Sequence, residues 1–212
     1  MQKYLLITRP SYDTATHYIS AWTNVGTTEA ETYNFKLINL SKEKANKKEV
    51  ESYLNSDLQI PFVVLNGHGN QIQIFGHDNK IIFSYGQNED KLKDKVAFSI
   101  ACSAASKFGQ SAVDHGARAY VGYKEDFAFY NDENMESRPL QDEVAALFLA
   151  HAQIFVSSLI KGNSVKVAYE KAKKSLFSSL QAALSGNNNV VASTLFWDYT
   201  NFVKLGEDST QI

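Results

Sequence analysis

Two short apolar runs in the middle of the chain each end in a side chain able to do chemistry. Pro61-Phe62-Val63-Val64-Leu65 leads into Asn66-Gly67-His68-Gly69-Asn70, and Val96-Ala97-Phe98-Ser99-Ile100 leads into Ala101-Cys102-Ser103-Ala104-Ala105. Cys102 is the only cysteine in 212 residues. A thiol is an effective nucleophile as its thiolate, and a neighbouring imidazole can take the proton or hold the thiolate as an ion pair. Gly69 leaves space beside the histidine for a carbonyl group. Its N–H, with that of Cys102, is suited to an oxyanion hole for a tetrahedral acyl intermediate. The pattern therefore points to acyl transfer, with Cys102 as nucleophile and His68 as general base and then general acid. Taken singly, neither residue says much, because a lone cysteine after an apolar run is commonly an inert core residue. The weight lies in the pairing of the two strand ends.

Those strand ends need a scaffold that brings them together. Continuous apolar runs bounded by small residues read as buried strands of a parallel sheet, where ligands gather at the carboxyl ends of the strands. Around them the chain alternates. Tyr4–Thr8 reads as a strand, Tyr12–Trp22 as a helix capped by Ser11, and Tyr33–Leu40 as a strand. Ser41 is expected to cap a charged helix running to Leu54. Gln71–Phe75 and Lys80–Tyr85 read as hairpin arms about the turn Gly76–Asn79. A helix over Ser106–His115, closed by Gly116, and a strand over Arg118–Tyr123 follow. Leu140–Ile160 and the segment from Ser164 to Leu184 read as long helices. Around Leu195–Trp197 a short amphipathic piece precedes a last strand within Asn201–Asp208. The expected fold is α/β, with a mostly parallel central sheet holding Tyr4–Ile7, Phe35–Leu40, Phe62–Leu65, Val96–Ile100 and Ala119–Gly122 and helices on both faces.

Composition narrows the function. Length fits one large domain, and a hydrophobic content of 44% suffices for a layered core. A net charge of −2 supplies no basic field, so nucleic acid is not an expected partner. One cysteine allows no internal disulfide and suits a reducing, cytoplasmic setting. No stretch is expected to approach a membrane span. The other histidines, His17, His77, His115 and His151, are not spaced with cysteines or carboxylates as metal ligands would be, so neither a metal nor another cofactor is expected.

These segments resemble the caspase-like cysteine peptidases, nearest to the branch holding CHAT domains, gingipains and clostripain. In that branch a strand ending in His-Gly precedes one ending in Ala-Cys and a small residue. Here these are His68-Gly69 and Ala101-Cys102-Ser103. The similarity continues through Phe108–Val113 to Gly116-Ala117-Arg118-Ala119-Tyr120-Val121-Gly122-Tyr123, then through Gly162–Ala172, to a terminal strand at Phe202–Gly206. The resemblance implies a caspase-like three-layer sandwich over residues 1–212 and a cysteine endopeptidase working through a His68–Cys102 dyad on a protein or peptide substrate. A caspase-type Gln-Ala-Cys signature is absent. Ile100 stands where clostripain-like relatives carry an acidic residue that selects a basic side chain.

Specificity is then expected from loops above the edge. The acidic and aromatic stretch Lys124–Pro139 is the longest, with Asp126 and Asp132, and Tyr123 at its start, as candidate substrate contacts; the hairpin Gln71–Tyr85 is the fallback. A glycine-flanked nucleophile elbow on another doubly wound sheet is disfavoured, since Ala101 and Ser103 flank the cysteine and His68 precedes it. The non-enzymatic alternative is a caspase-like interaction or scaffold domain. A chain with both residues intact is also compatible with latency until an activating protein partner orders its loops.

Overall fold

The computed structural model describes residues 2–212. Six strands form the central sheet: β1 (Lys3–Arg9), β2 (Phe35–Ser41), β3 (Gln59–Asn66), then, after a separate hairpin, β7 (Val96–Ile100), β8 (Ala119–Tyr123) and β9 (Phe202–Gly206). Their order is β2-β1-β3-β7-β8-β9; all pairings are parallel except β8 with β9. The hairpin region, β4 (Gly69–Asn70), β5 (Gln73–Phe75) and β6 (Ile81–Ser84), forms a small antiparallel sheet. The helices are α1 (Thr14–Val25), α2 (Lys47–Leu54), α3 (Lys107–Asp114), α4 (Glu143–Ile160), α5 (Val165–Ser185) and α6 (Asn189–Asn201).

The layers follow from the two-residue period of the strands, which sends alternate side chains to opposite faces. Leu5, Ile7, Phe62, Val64, Val96 and Phe98 belong to one core, with Tyr18 of α1, Phe155 of α4 and Ala168 of α5. Leu6, Val63, Leu65 and Ala97 belong to a second core, with Val50 of α2, Phe108 of α3 and the hairpin residues Ile74 and Phe83. The molecule is a three-layer α/β sandwich.

Several local expectations are corrected. Asp13, not Ser11, caps α1, and its carboxylate takes the Thr16 N–H. Ser41 caps nothing: a 3-10 turn follows it, and Asn46 caps α2. The long fourth helix begins at Glu143 because Asp142 accepts the N–H groups of Val144 and Ala145. The amphipathic piece near Trp197 is the 13-residue helix α6. Finally, α4 has the length and mean hydropathy (1.7) of a membrane span, contrary to expectation. Here its apolar side chains pack against the sheet and the neighbouring helices α1 and α5, with Phe148, Ala152 and Phe155 in the core.

Candidate active site

Strands β3 and β7 run in register from Phe62 opposite Val96 to Asn66 opposite Ile100. His68 and Cys102 therefore both stand two residues past the last paired position, at the carboxyl edge of the sheet. The turn into His68 requires glycine: Gly67 has a φ of 148°, and a Cβ there would collide with the Phe75 carbonyl oxygen. A Cβ on Gly69 would come within 2.9 Å of both Ala101 Cβ and the Cys102 carbonyl oxygen. The glycine expected at the oxyanion hole thus lies directly against the backbone of the Cys102 turn. The Cys102 N–H makes no hydrogen bond to another residue among the described residues.

Sheet order adds a third element to this edge. From β1 the chain crosses to β2 on one side, while β3 lies on the other and leads on to β7; the crevice at such a reversal is where α/β sheets bind ligands. Buried Asn66 ties β3 to this crevice. Its Nδ2 donates to the Thr8 carbonyl and to Thr23 Oγ1, both at 2.8 Å, and its N–H donates to Thr8 Oγ1 at 2.9 Å. The β1–α1 loop is thereby held beside His68. Asp13 in that loop uses one oxygen for its helix, accepting from the Thr16 N–H at 2.8 Å and the Thr16 hydroxyl at 2.7 Å. Its other oxygen, Oδ2, is 2.7 Å from His68 Nε2. Burial alone would raise the Asp13 pKa, but the Thr16 N–H, the His68 ring and the Thr16 hydroxyl together hold it below the usual carboxylate value. An ionised Asp13 fixes the tautomer: Nε2–H donates to the carboxylate and Nδ1 is left as the acceptor. The two side chains are 36–39% exposed.

The thiol is enclosed differently. Cys102 Sγ donates to the Phe127 carbonyl oxygen at 3.7 Å, and no hydrogen bond joins it to His68. Ser103, next in the chain, is held at a φ of 55°, a left-handed conformation that costs a residue with a Cβ on the order of 1–2 kcal/mol. The 125–128 segment supports that turn. Ser103 N–H donates to the Glu125 carbonyl at 3.0 Å and Ser103 Oγ to Asp126 Oδ1 at 2.8 Å. Helix α6 in turn holds the segment. Trp197 Nε1 donates to the Asp126 carbonyl at 2.7 Å, and Asp198 Oδ1 accepts from the Ala128 N–H at 3.3 Å. Burial pushes the Cys102 thiol pKa up, and the Asp126 and Asp198 carboxyls push it further. Asp198 is fully buried, its Oδ2 has no hydrogen-bond partner among the described residues, and burial raises its pKa to about 8.

The three candidate substrate contacts lie in three different settings. Tyr123 is a core residue: its ring is fully buried and its hydroxyl sits 2.8 Å from His151 Nε2. Burial lowers the His151 pKa to about 4, so the neutral ring donates from Nδ1 to the Phe148 carbonyl and accepts from Tyr123. Contact between Tyr123 and substrate is corrected on that ground. Asp126 is at the site but spends an oxygen on Ser103. Asp132 lies further along the loop, where it accepts the Asn134 N–H at 2.9 Å. Among the described residues, no group of three or more His, Cys, Asp or Glu side chains could hold a metal ion.

No protein-family model matches the chain, and no curated protein matches it.

Proposed function

We infer that the chain is a cysteine endopeptidase in which His68 and Cys102 form the reacting pair and Asp13 positions the histidine. One observation carries the reading. A carboxylate locks Nε2 of a histidine that stands, in matched register, beside the turn of the single cysteine, leaving Nδ1 as the available base. His68 Nδ1 takes the thiol proton as Cys102 Sγ attacks the scissile carbonyl carbon. The carbonyl oxygen, now negative, is held by the N–H groups of Gly69 and Cys102. As the C–N bond breaks, the imidazolium returns its proton to the leaving amine. A water molecule, deprotonated by His68, then hydrolyses the thioester and restores the thiol.

In its present arrangement the thiol is neutral and held by Phe127. Attack requires the 125–128 segment to yield, through the substrate's own backbone or through an activating partner. The substrate class is polypeptide, and a reducing, cytoplasmic setting suits the unpaired thiol. The resemblance to caspase-like peptidases of the CHAT and clostripain branch supports the same reading from sequence. A silent interaction domain is the alternative, and the raised thiol pKa is the observation that favours it. Incubation with an unbiased peptide library, read by mass spectrometry, separates them. The peptidase reading expects discrete cleavages that vanish in Cys102→Ala. Cleavage by neither chain, with or without proteome extract as a source of activator, would leave the interaction reading.

A further inference from the structure

A groove of about 560 Å³ runs along the outer flank of α3, between that helix and the hairpin region. Its mouth lies close to the proposed reacting pair. Gly69 abuts the Cys102 carbonyl, and two residues later the Gln71 carbonyl accepts the Phe108 N–H at 2.8 Å in the first turn of α3. Two residues span at most about 7 Å, so the groove begins within reach of the second or third side chain from a bond held at Cys102.

The groove is rich in unused donors. Ser106 stands at the N-cap of α3 yet makes no capping hydrogen bond, and its buried Oγ has no partner among the described residues. Lys107 occupies the first residue of the helix, where the macrodipole disfavours a cation and favours an anion. It is exposed and forms no ion pair among the described residues. Asp114, the carboxylate in the wall, already accepts from Gln110 Nε2 at 2.9 Å. Glu89, buried behind α3, is saturated by the N–H groups of Gly86, Gln87 and Asn88 and by the Ser111 hydroxyl. Neither compensates Lys107. Across the edge, Asp126 is engaged by the Ser103 hydroxyl and Asp132 by the Asn134 N–H of its own loop.

We propose that this groove is a specificity subsite for an acidic side chain of the polypeptide, two or three residues from the scissile bond. Lys107 supplies the charge, and Ser106 and Gln71 supply hydrogen bonds. The proposal rests on the peptidase reading of the same edge. A carboxylate there gives the Ser106 hydroxyl an acceptor, gives Lys107 a counter-charge and complements the helix dipole.

The test uses binding and cleavage separately. Fluorescein-labelled peptides, identical except for Glu, Gln or Lys at each position in turn, are titrated against the full chain carrying Cys102→Ala. Hydrogen bonds to charged groups predict a preference for Glu over Gln of about tenfold at one position. Adding Lys107→Glu should invert the preference towards Lys, Lys107→Gln should abolish it, and Lys171→Glu on α5 should leave it alone. An unchanged charge preference in Lys107→Glu, or peptide binding with no preference or none at all, overturns the subsite. Cleavage of the same peptides by the unsubstituted chain is scored independently. Its absence counts against the peptidase reading, while Glu-selective binding that depends on Lys107 would uphold the subsite.

Discussion

His68 and Cys102 leave neighbouring strands at matched positions, yet their surroundings differ in kind. The histidine end is polar, part-exposed and organised around one carboxylate: Asp13 caps α1 with Oδ1 and holds the imidazole with Oδ2. The cysteine end is part-buried and covered by a backbone segment. Its thiol points to a backbone carbonyl, its turn is held in a left-handed conformation, and α6 pins the covering segment from two sides. In the peptidase reading, one half of the pair is ready to accept a proton and the other is kept from giving it. The difference suggests that control of this site lies on the nucleophile's side, in the 125–128 segment and α6, while the base is built into the sheet.

The largest expected effect comes from the ready half. His68→Ala should lower peptide cleavage by roughly 10²–10⁴-fold, the usual contribution of a positioned general acid–base group. Steady-state assay on the peptides found with the parent chain checks it. Asp13→Asn keeps the size of the side chain but weakens a charge-assisted hydrogen bond worth about 1.5–3 kcal/mol, so kcat should fall roughly 10- to 100-fold with KM little changed. A change confined to KM would mean that Asp13 serves the helix alone.

The covered half predicts gains. Trp197→Phe removes the indole donor to the Asp126 carbonyl while keeping an aromatic ring. Loss of one neutral hydrogen bond, about 0.5–1.5 kcal/mol, should speed alkylation of Cys102 by roughly 2- to 10-fold. Equal rates would show that α6 does not hold the cover closed.

The smallest effect concerns stability and pH. Asp198 titrates near 8 in the folded chain against 3.8 for an ordinary aspartate, so between about pH 4 and pH 8 the unfolded chain is ionised where the folded one keeps its proton. Folding then takes up a proton, and the group's contribution to stability falls as pH rises through that window, levelling off above pH 8. Asp198→Asn should flatten the decline, measured as thermal midpoints across the pH range, and lower the Cys102 pKa by removing a nearby carboxyl. A decline of equal slope in the variant would assign it to other groups.

The contrast also explains what the sequence disclosed. Four of the five parallel strands are readable because each is a compact apolar run, β2 because apolar and polar residues partly alternate along it, and His68, Gly69 and Cys102 because they follow apolar runs directly. Asp13 is not, since the pattern places it inside a helix over Tyr12–Trp22 capped by Ser11, whereas it is itself the cap. Its second role needs the order β2-β1-β3, which brings the β1–α1 loop beside the end of β3. The Phe127 carbonyl has no signature, because every residue carries one. Helix α6 read as a short piece because Val190, Phe196 and Trp197 are exposed on it, blurring the stripe that marks a one-sided helix. Tyr123 was misplaced for a related reason: it ends a strand at the active edge, but its ring packs against Phe127 and Phe202 in the core beneath.

Whether His68 acts on the Cys102 thiol is read from the rate of Cys102 alkylation by iodoacetamide at pH 7 in the parent chain and in His68→Ala. With one cysteine in the chain, incorporated label reports this thiol alone. Alkylation reads the molecules in which the 125–128 segment has yielded, and there removing the imidazole should slow the reaction at least about tenfold, the equivalent of one pKa unit in thiolate availability. Equal rates in the two chains, with folding intact, would contradict that role.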